Sequence, residues 1–164
     1  MRRYLLVLDE DLLAVDEKFG LEPINYLVAK QEQGTCEVVV LSLASTHLAK
    51  LPAAELLLGA RVGKFPVAPR PDHDIDVAAE HRMTLALRHL RTIGCQASGL
   101  ISDEELTKAV HAETRAHHYD EVILAIGRQR GSRLARVLKS DPVQRLRRQW
   151  RDRLVVFAAG PGPS

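Results

Sequence analysis

The sequence predicts a single α/β domain, doubly wound, with a five-stranded parallel sheet and helices on both faces. Three observations predict it. Five short apolar runs alternate with helical segments along 164 residues. The second, fourth and fifth runs are continuous rather than alternating in polarity, as strands covered on both faces are. The fourth run breaks at Gly127 into a loop and a helix, and a strand, glycine turn and helix in succession is how many α/β folds hold a phosphate.

The first run, residues 4–8 (YLLVL), is a strand that stops at Asp9. Pro23 after Glu22 suits a first helical turn, so a helix is expected over residues 22–33 with Gly34 as its stop. Residues 37–43 (EVVVLSL) are the second strand. A long connection follows from Ser42 to Asp72, with Pro52, Pro66, Pro69 and Pro71 and an AELLLGA stretch fit for a helical turn or two. A connection of that length serves as a lid, a partner surface or a wrap.

Residues 74–93 form the longest periodic segment. Ile75, Ala79, Met83, Ala86, Leu87 and Leu90 recur on one face, and Gly94 ends the helix. Residues 96–101 are a weaker third strand. Ser102 is followed three residues later by Glu105, the capping-box spacing, which predicts a helix opening there and running to His117. Residues 121–126 are the fourth strand. Asp141 and Pro142 supply an N-cap and a first-turn proline for a last helix to Gln149, and residues 154–158 (LVVFA) are the fifth strand. Residues 1–159 are expected to form the domain, with 160–164 as a disordered tail.

Apolar content of 46% and charged content of 27% match a soluble globular chain. No stretch reaches the roughly 20 apolar residues that span a bilayer. Arg2, Arg3 and the run after them superficially mimic a signal peptide, but acidic residues from Asp9 to Asp11 cut that run below a signal core. A cytoplasmic location and no membrane partner are therefore expected. Cys36 and Cys95 lack metal-type spacing and read as structural thiols.

Charge is strongly polarised. Residues 128–153 carry ten Lys or Arg against two Asp, while the rest of the chain holds 13 basic and 19 acidic residues. This segment reads two ways. Its arginines form an anion site, with Arg128, Arg130 or Arg133 supplying forked donors to phosphate, or they are a solvated helix face. Trp150 among them suits an interface anchor. Aromatic content of only 4% offers little for base stacking.

On these residues the chain resembles the universal stress protein family, within the adenine-nucleotide α-hydrolase-like superfamily, over nearly its whole length. Asp9 closes the first strand where the family often uses an aspartate near the adenine. Ile101-Ser102-Asp103 is similar to the family's strand-to-helix turn, and the last helix and LVVF strand keep its spacing. Nucleotide-binding members carry a glycine, two residues, a glycine, nine residues, then a glycine followed by Ser or Thr. Gly127 matches the first position, but Arg130 stands at the second, and Ser140 and Asp141 at the last pair. Arg130 restricts a turn that glycine would free, with Gly131 one position late. Asp141 sets a carboxylate where the family offers a hydroxyl to the terminal phosphate, and two anions repel.

The resemblance implies strand order 3-2-1-4-5, a site where the first and fourth strands end, and a homodimer joined through the last strand. It implies a non-catalytic regulatory or stress-response domain whose site for ATP, another adenine nucleotide or a phosphate-bearing small molecule is degenerate. The residues expected to line it are Asp9, Gly127, Arg128, Arg130, Gly131, Arg133 and Ser140. Asp9 also reads as a strand-end residue capping its loop, and Asp141 as a plain helix N-cap. The competing class is a polyanion or nucleic-acid binding module using the basic C-terminal helix, with steep salt dependence. No catalytic residue is assigned: there is no G-x-S-x-G elbow, and Ser132 lacks a glycine on its far side. The seven histidines show no i, i+4 pair, so no metal ligand is assigned, and His117 and His118 are read as facing the C-terminal dipole of their helix.

Overall fold

The computed structural model describes residues 1–9, 22–44, 71–126 and 142–158. The elements are β1 (Arg2–Leu8), α1 (Glu22–Glu32), β2 (Cys36–Leu43), α2 (Pro71–Thr92), β3 (Gln96–Ser102), α3 (Leu106–Ala116), β4 (Glu121–Ile126), α4 (Pro142–Trp150) and β5 (Leu154–Ala158). A 3₁₀ turn, Arg151–Arg153, joins α4 to β5. All pairings are parallel and the strand order is β3-β2-β1-β4-β5. β1 lies at the centre, paired from Arg2↔Cys36 to Leu8↔Ser42 on one side and from Tyr4↔Glu121 to Leu8↔Ala125 on the other.

Each strand sends alternate side chains to opposite faces, and the helices divide accordingly. Tyr4, Leu6 and Leu8 of β1 join Val38, Val40 and Ile123 under Ile24 and Leu27 of α1 and Leu90 of α2. Leu5 and Val7 join Val39, Leu41, Val122 and Leu124 under Val110 of α3 and Val143 and Leu146 of α4. This is why the central runs are continuously apolar: neither face meets water. Complete burial of each Leu or Ile contributes about 1.5–3 kcal/mol.

The edge strands differ from the centre. In β3, Leu100 and Ile101 remain about two-fifths exposed, at 42% and 41%, which explains its weak apolar signal. Gly99 lets α2 approach closely there, since a Cβ would stand 2.5 Å from Met83 Sδ and 3.0 Å from Leu87 Cδ1 and those side chains would have to shift. β5 is the other edge; Leu154 through Phe157 are half-buried rather than covered on both faces, so its continuous apolar pattern overstated its burial.

The third helix begins later than the capping-box spacing predicts. Ser102 belongs to β3, opposite Leu43, and its carbonyl accepts the Ala44 N–H at 2.8 Å. Its Oγ accepts from Glu104 N at 3.2 Å, closing only a short turn. α3 then starts at Leu106 with Glu105 as its N-cap, whose side chain makes no cap bond. Extending the β2–β3 ladder displaced the local cap. At the other end His117 is already extended, and its Nδ1 pairs with Glu113 Oε1 at 2.9 Å. The greater part of the long proline-rich connection and the tail lie outside the described residues.

Candidate functional site

Strand order reverses between β1 and β4, and a parallel sheet opens a crevice where its strands end at such a switch point. The register brings Leu8 of β1 beside Ala125 of β4, and the Asp9 N–H donates to the Ala125 carbonyl at 3.0 Å. That bond carries the β1–β4 contact one residue past the strand and sets the half-buried Asp9 at the crevice edge. Asp9 is the expected site residue that the structure places. Gly127, Arg128, Arg130, Gly131, Arg133 and Ser140, with Asp141, lie outside the described residues.

The adjoining end of β2 is held by α2. Ser42 is completely buried and its Oγ donates to the Ala79 carbonyl at 2.8 Å. Arg82, one turn further along α2, donates from its guanidinium to the Leu43 carbonyl at 2.7 Å. A fixed positive charge thus stands at the C-terminal end of β2, a strand next to Asp9. In the sequence Arg82 looks like one more solvated cation on a long helix. Its signal was its place three residues after Ala79 and beside Met83, on the margin of the apolar stripe.

The basic C-terminal helix is amphipathic. Val143 and Leu146 are buried, while Arg145, Arg147, Arg148, Arg151 and Arg153 are exposed. Trp150 packs against its own core beneath the sheet, with the Arg153 guanidinium 5.1 Å from its ring centroid.

A second polar cluster sits at the opposite, N-terminal edge of the sheet. Glu121 at the start of β4 accepts from Tyr26 Oη at 2.7 Å and from Lys30 Nζ at 2.9 Å. Burial and then the Glu121 bond raise the Tyr26 pKa, and the bond to Glu121 raises that of Lys30. Arg3 pairs with Glu37 at 3.2 Å and lies over the Tyr119 ring. Tyr119 donates to Glu113 at 2.5 Å, and its pKa is raised first by burial and then by that bond. Asp120 and Arg3 exchange two bonds, both 2.8 Å. These groups neutralise one another and tie strand starts together. Among the described residues no group of three His, Cys, Asp or Glu side chains is arranged to hold a metal, and no helix is long and apolar enough to cross a membrane.

The architecture is that of a doubly wound α/β domain with its crevice between β1 and β4. No protein-family model matches the chain, and no curated protein matches it. Solved structures do match in fold. The hypothetical protein MJ0577, whose biochemical function was assigned from its structure, superposes with a TM-score of 0.60 over 98% of both chains at 12% identity. The universal stress protein from Archaeoglobus fulgidus in complex with dAMP gives 0.57 over 96% of this chain and 98% of that one, at 8% identity. A protein of the universal stress protein family from Burkholderia pseudomallei gives 0.50 over 94% and 96%, also at 8% identity. The chain is therefore built on the universal stress protein fold, and the likeness is one of fold.

Proposed function

We propose that this chain is a divergent universal stress protein acting as a non-catalytic regulatory domain. Its degenerate nucleotide or phosphate site lies where β1 and β4 end. The observation that carries the reading is the switch point, with Asp9 tied to Ala125 across the crevice edge. A protein of the same fold from Archaeoglobus fulgidus was solved in complex with dAMP, which supports an adenine nucleotide as the ligand class. In this reading Asp9 faces the adenine, and Gly127, Arg128, Arg130, Gly131, Arg133 and Ser140 serve the phosphates. Arg130 and Asp141 weaken the site for the reasons of turn geometry and charge repulsion given above.

Calorimetric titration with ATP and magnesium is expected to give no saturable heat at submillimolar ligand. Tight one-to-one binding would overturn the degenerate site. Asp141→Ser should strengthen whatever weak binding is seen. Native mass spectrometry of freshly purified protein reads both a retained nucleotide and the subunit count. A homodimer through β5 belongs to the same reading: among the described residues its outer edge pairs with nothing, and an apolar edge invites a second strand. Sedimentation equilibrium giving a monomer at tens of micromolar would contradict it. A cytoplasmic location also belongs to this reading.

One observation favours a second reading, binding of a polyanion. Arg145, Arg147, Arg148, Arg151 and Arg153 are exposed on and just after α4. Changing them to alanine should then lower affinity for duplex DNA and flatten its salt slope by about one unit per lost phosphate contact. Fluorescence anisotropy over a salt series measures both.

A further inference from the structure

Two passages of this chain end alike. α1 is followed by Gly34 and Thr35, and Cys36 opens β2; α2 is followed by Gly94 with φ 87°, and Cys95 precedes β3. β2 and β3 are neighbours, and the register that sets Glu37 against Gln96 brings the two preceding cysteines side by side. Their sulfurs lie 2.8 Å apart. Both are free thiols, 3% and 5% exposed.

Gln31 of α1 organises the pair. Its Oε1 accepts from the Cys36 N–H at 3.0 Å and from Cys36 Sγ at 2.8 Å, and lies 3.8 Å from Cys95 Sγ. Its Nε2 donates to the Gly94 carbonyl at 3.2 Å. One side chain thus holds the turns before both strands and keeps the thiols facing each other. Burial and the neighbouring Cys36 push the Cys95 thiol up to about 12, so Cys95 rests as a thiol.

We propose that Cys36 and Cys95 form an oxidation site, which hydrogen peroxide converts to an intrachain disulfide joining the start of β2 to the start of β3. One thiol, as its thiolate, attacks a peroxide oxygen; the O–O bond breaks, a sulfenic acid forms and water leaves. The second sulfur then attacks the sulfenic sulfur, the S–S bond forms, the S–O bond breaks and a second water leaves. Two thiols and one peroxide become one disulfide and two waters, with two electrons passing from sulfur to oxygen.

Burial selects the oxidant. A small peroxide reaches sulfurs this enclosed more readily than glutathione disulfide does, and their enclosure makes the first step slow. The second step is fast by contrast, since the resolving sulfur is already in contact, and it intercepts the sulfenic acid before further oxidation. The product constrains the unfolded chain between residues 36 and 95, a span holding β2 and α2. It lies at the N-terminal edge of the sheet, away from the crevice, and does not depend on the function proposed for that crevice.

The test treats the full chain with hydrogen peroxide, quenches and alkylates it in denaturant, and maps its peptides. The expected result is an intact mass lower by two hydrogens and one cross-linked peptide pair containing Cys36 and Cys95. Thermal unfolding should shift upward by roughly 5–15 °C and return on treatment with dithiothreitol. Cys36→Ser and Cys95→Ser should each abolish the mass loss and the shift. The map of the unaltered chain decides the matter even where those variants fold poorly. Two alkylatable thiols after prolonged exposure, or sulfinic acid or interchain dimers in place of the internal link, would overturn the proposal.

Discussion

At the N-terminal edge of the sheet charged side chains bind one another and aromatic hydroxyls: Glu121 holds Tyr26 and Lys30, Glu37 holds Arg3, and Glu113 holds Tyr119, while Asp120 and Gln31 bind backbone. At the C-terminal edge three side chains bind backbone. Ser42 reaches the Ala79 carbonyl, Arg82 the Leu43 carbonyl, and Ser102 takes the Glu104 N–H. The first edge is tied by paired charges. The second holds the ends of β2 and β3 through the main chain, with Asp9 tied to Ala125 beside them. A parallel sheet allows this division, because all its strands start at one edge and end at the other.

Alkali tests the contrast most severely, because it strikes the first edge at several points together. Tyr26, Lys30, Cys95 and Tyr119 all have raised pKa values in the folded chain. A group raised on folding contributes stability that is complete below its unfolded pKa and is lost as pH rises through the folded value. The ordinary values are 9.0 for Cys95, 10.0 for the tyrosines and 10.5 for Lys30. The urea midpoint should therefore be unaffected by these groups below pH 9 and fall progressively above it. A midpoint that is flat to pH 12 would remove the argument for the locked edge.

Glu121→Ala comes next in size. It leaves the Lys30 ammonium and the Tyr26 hydroxyl without their shared acceptor, in side chains where Lys30 is only 19% exposed. The expected cost is about 2–3 kcal/mol, read from urea unfolding, with ligand binding at the crevice unchanged. Gly99→Ala is smaller: Met83 must give way to the added Cβ, at about 1–2 kcal/mol by the same measurement. Smallest in stability is Asp9→Asn, an isosteric change expected to stay within about 0.5 kcal/mol. Its effect should appear instead in whatever weak adenine-nucleotide binding millimolar titration detects, as a roughly tenfold loss. A large loss of stability with unaltered affinity would make Asp9 a structural cap and invert the contrast between the edges.

Much of the fold was legible because its signals are local. The runs of β2 and β4 are apolar throughout, and Gly34 and Gly94 follow helices whose period is plain in the sequence. Ser102 was misassigned for the same reason: the capping-box spacing is local evidence, and a β-ladder with Leu43 outweighed it. Of the candidate site, the position at the end of β1 was readable because Asp9 ends an apolar run. Arg82 was harder to read, since its place on the margin of an apolar stripe is a faint signal and its partner, the Leu43 carbonyl, lies on another element.

By itself the sequence determined the kind and order of the elements, since periodicity, length, proline and glycine act within a few residues. The family resemblance implied the strand order 3-2-1-4-5 that is found, and only the tertiary structure decided in what register the strands lie. Nothing within residues 36 or 95 marks them as partners. Their contact exists because β2 and β3 are adjacent and start level, and that alignment is set by the burial of two whole faces, which no short segment carries.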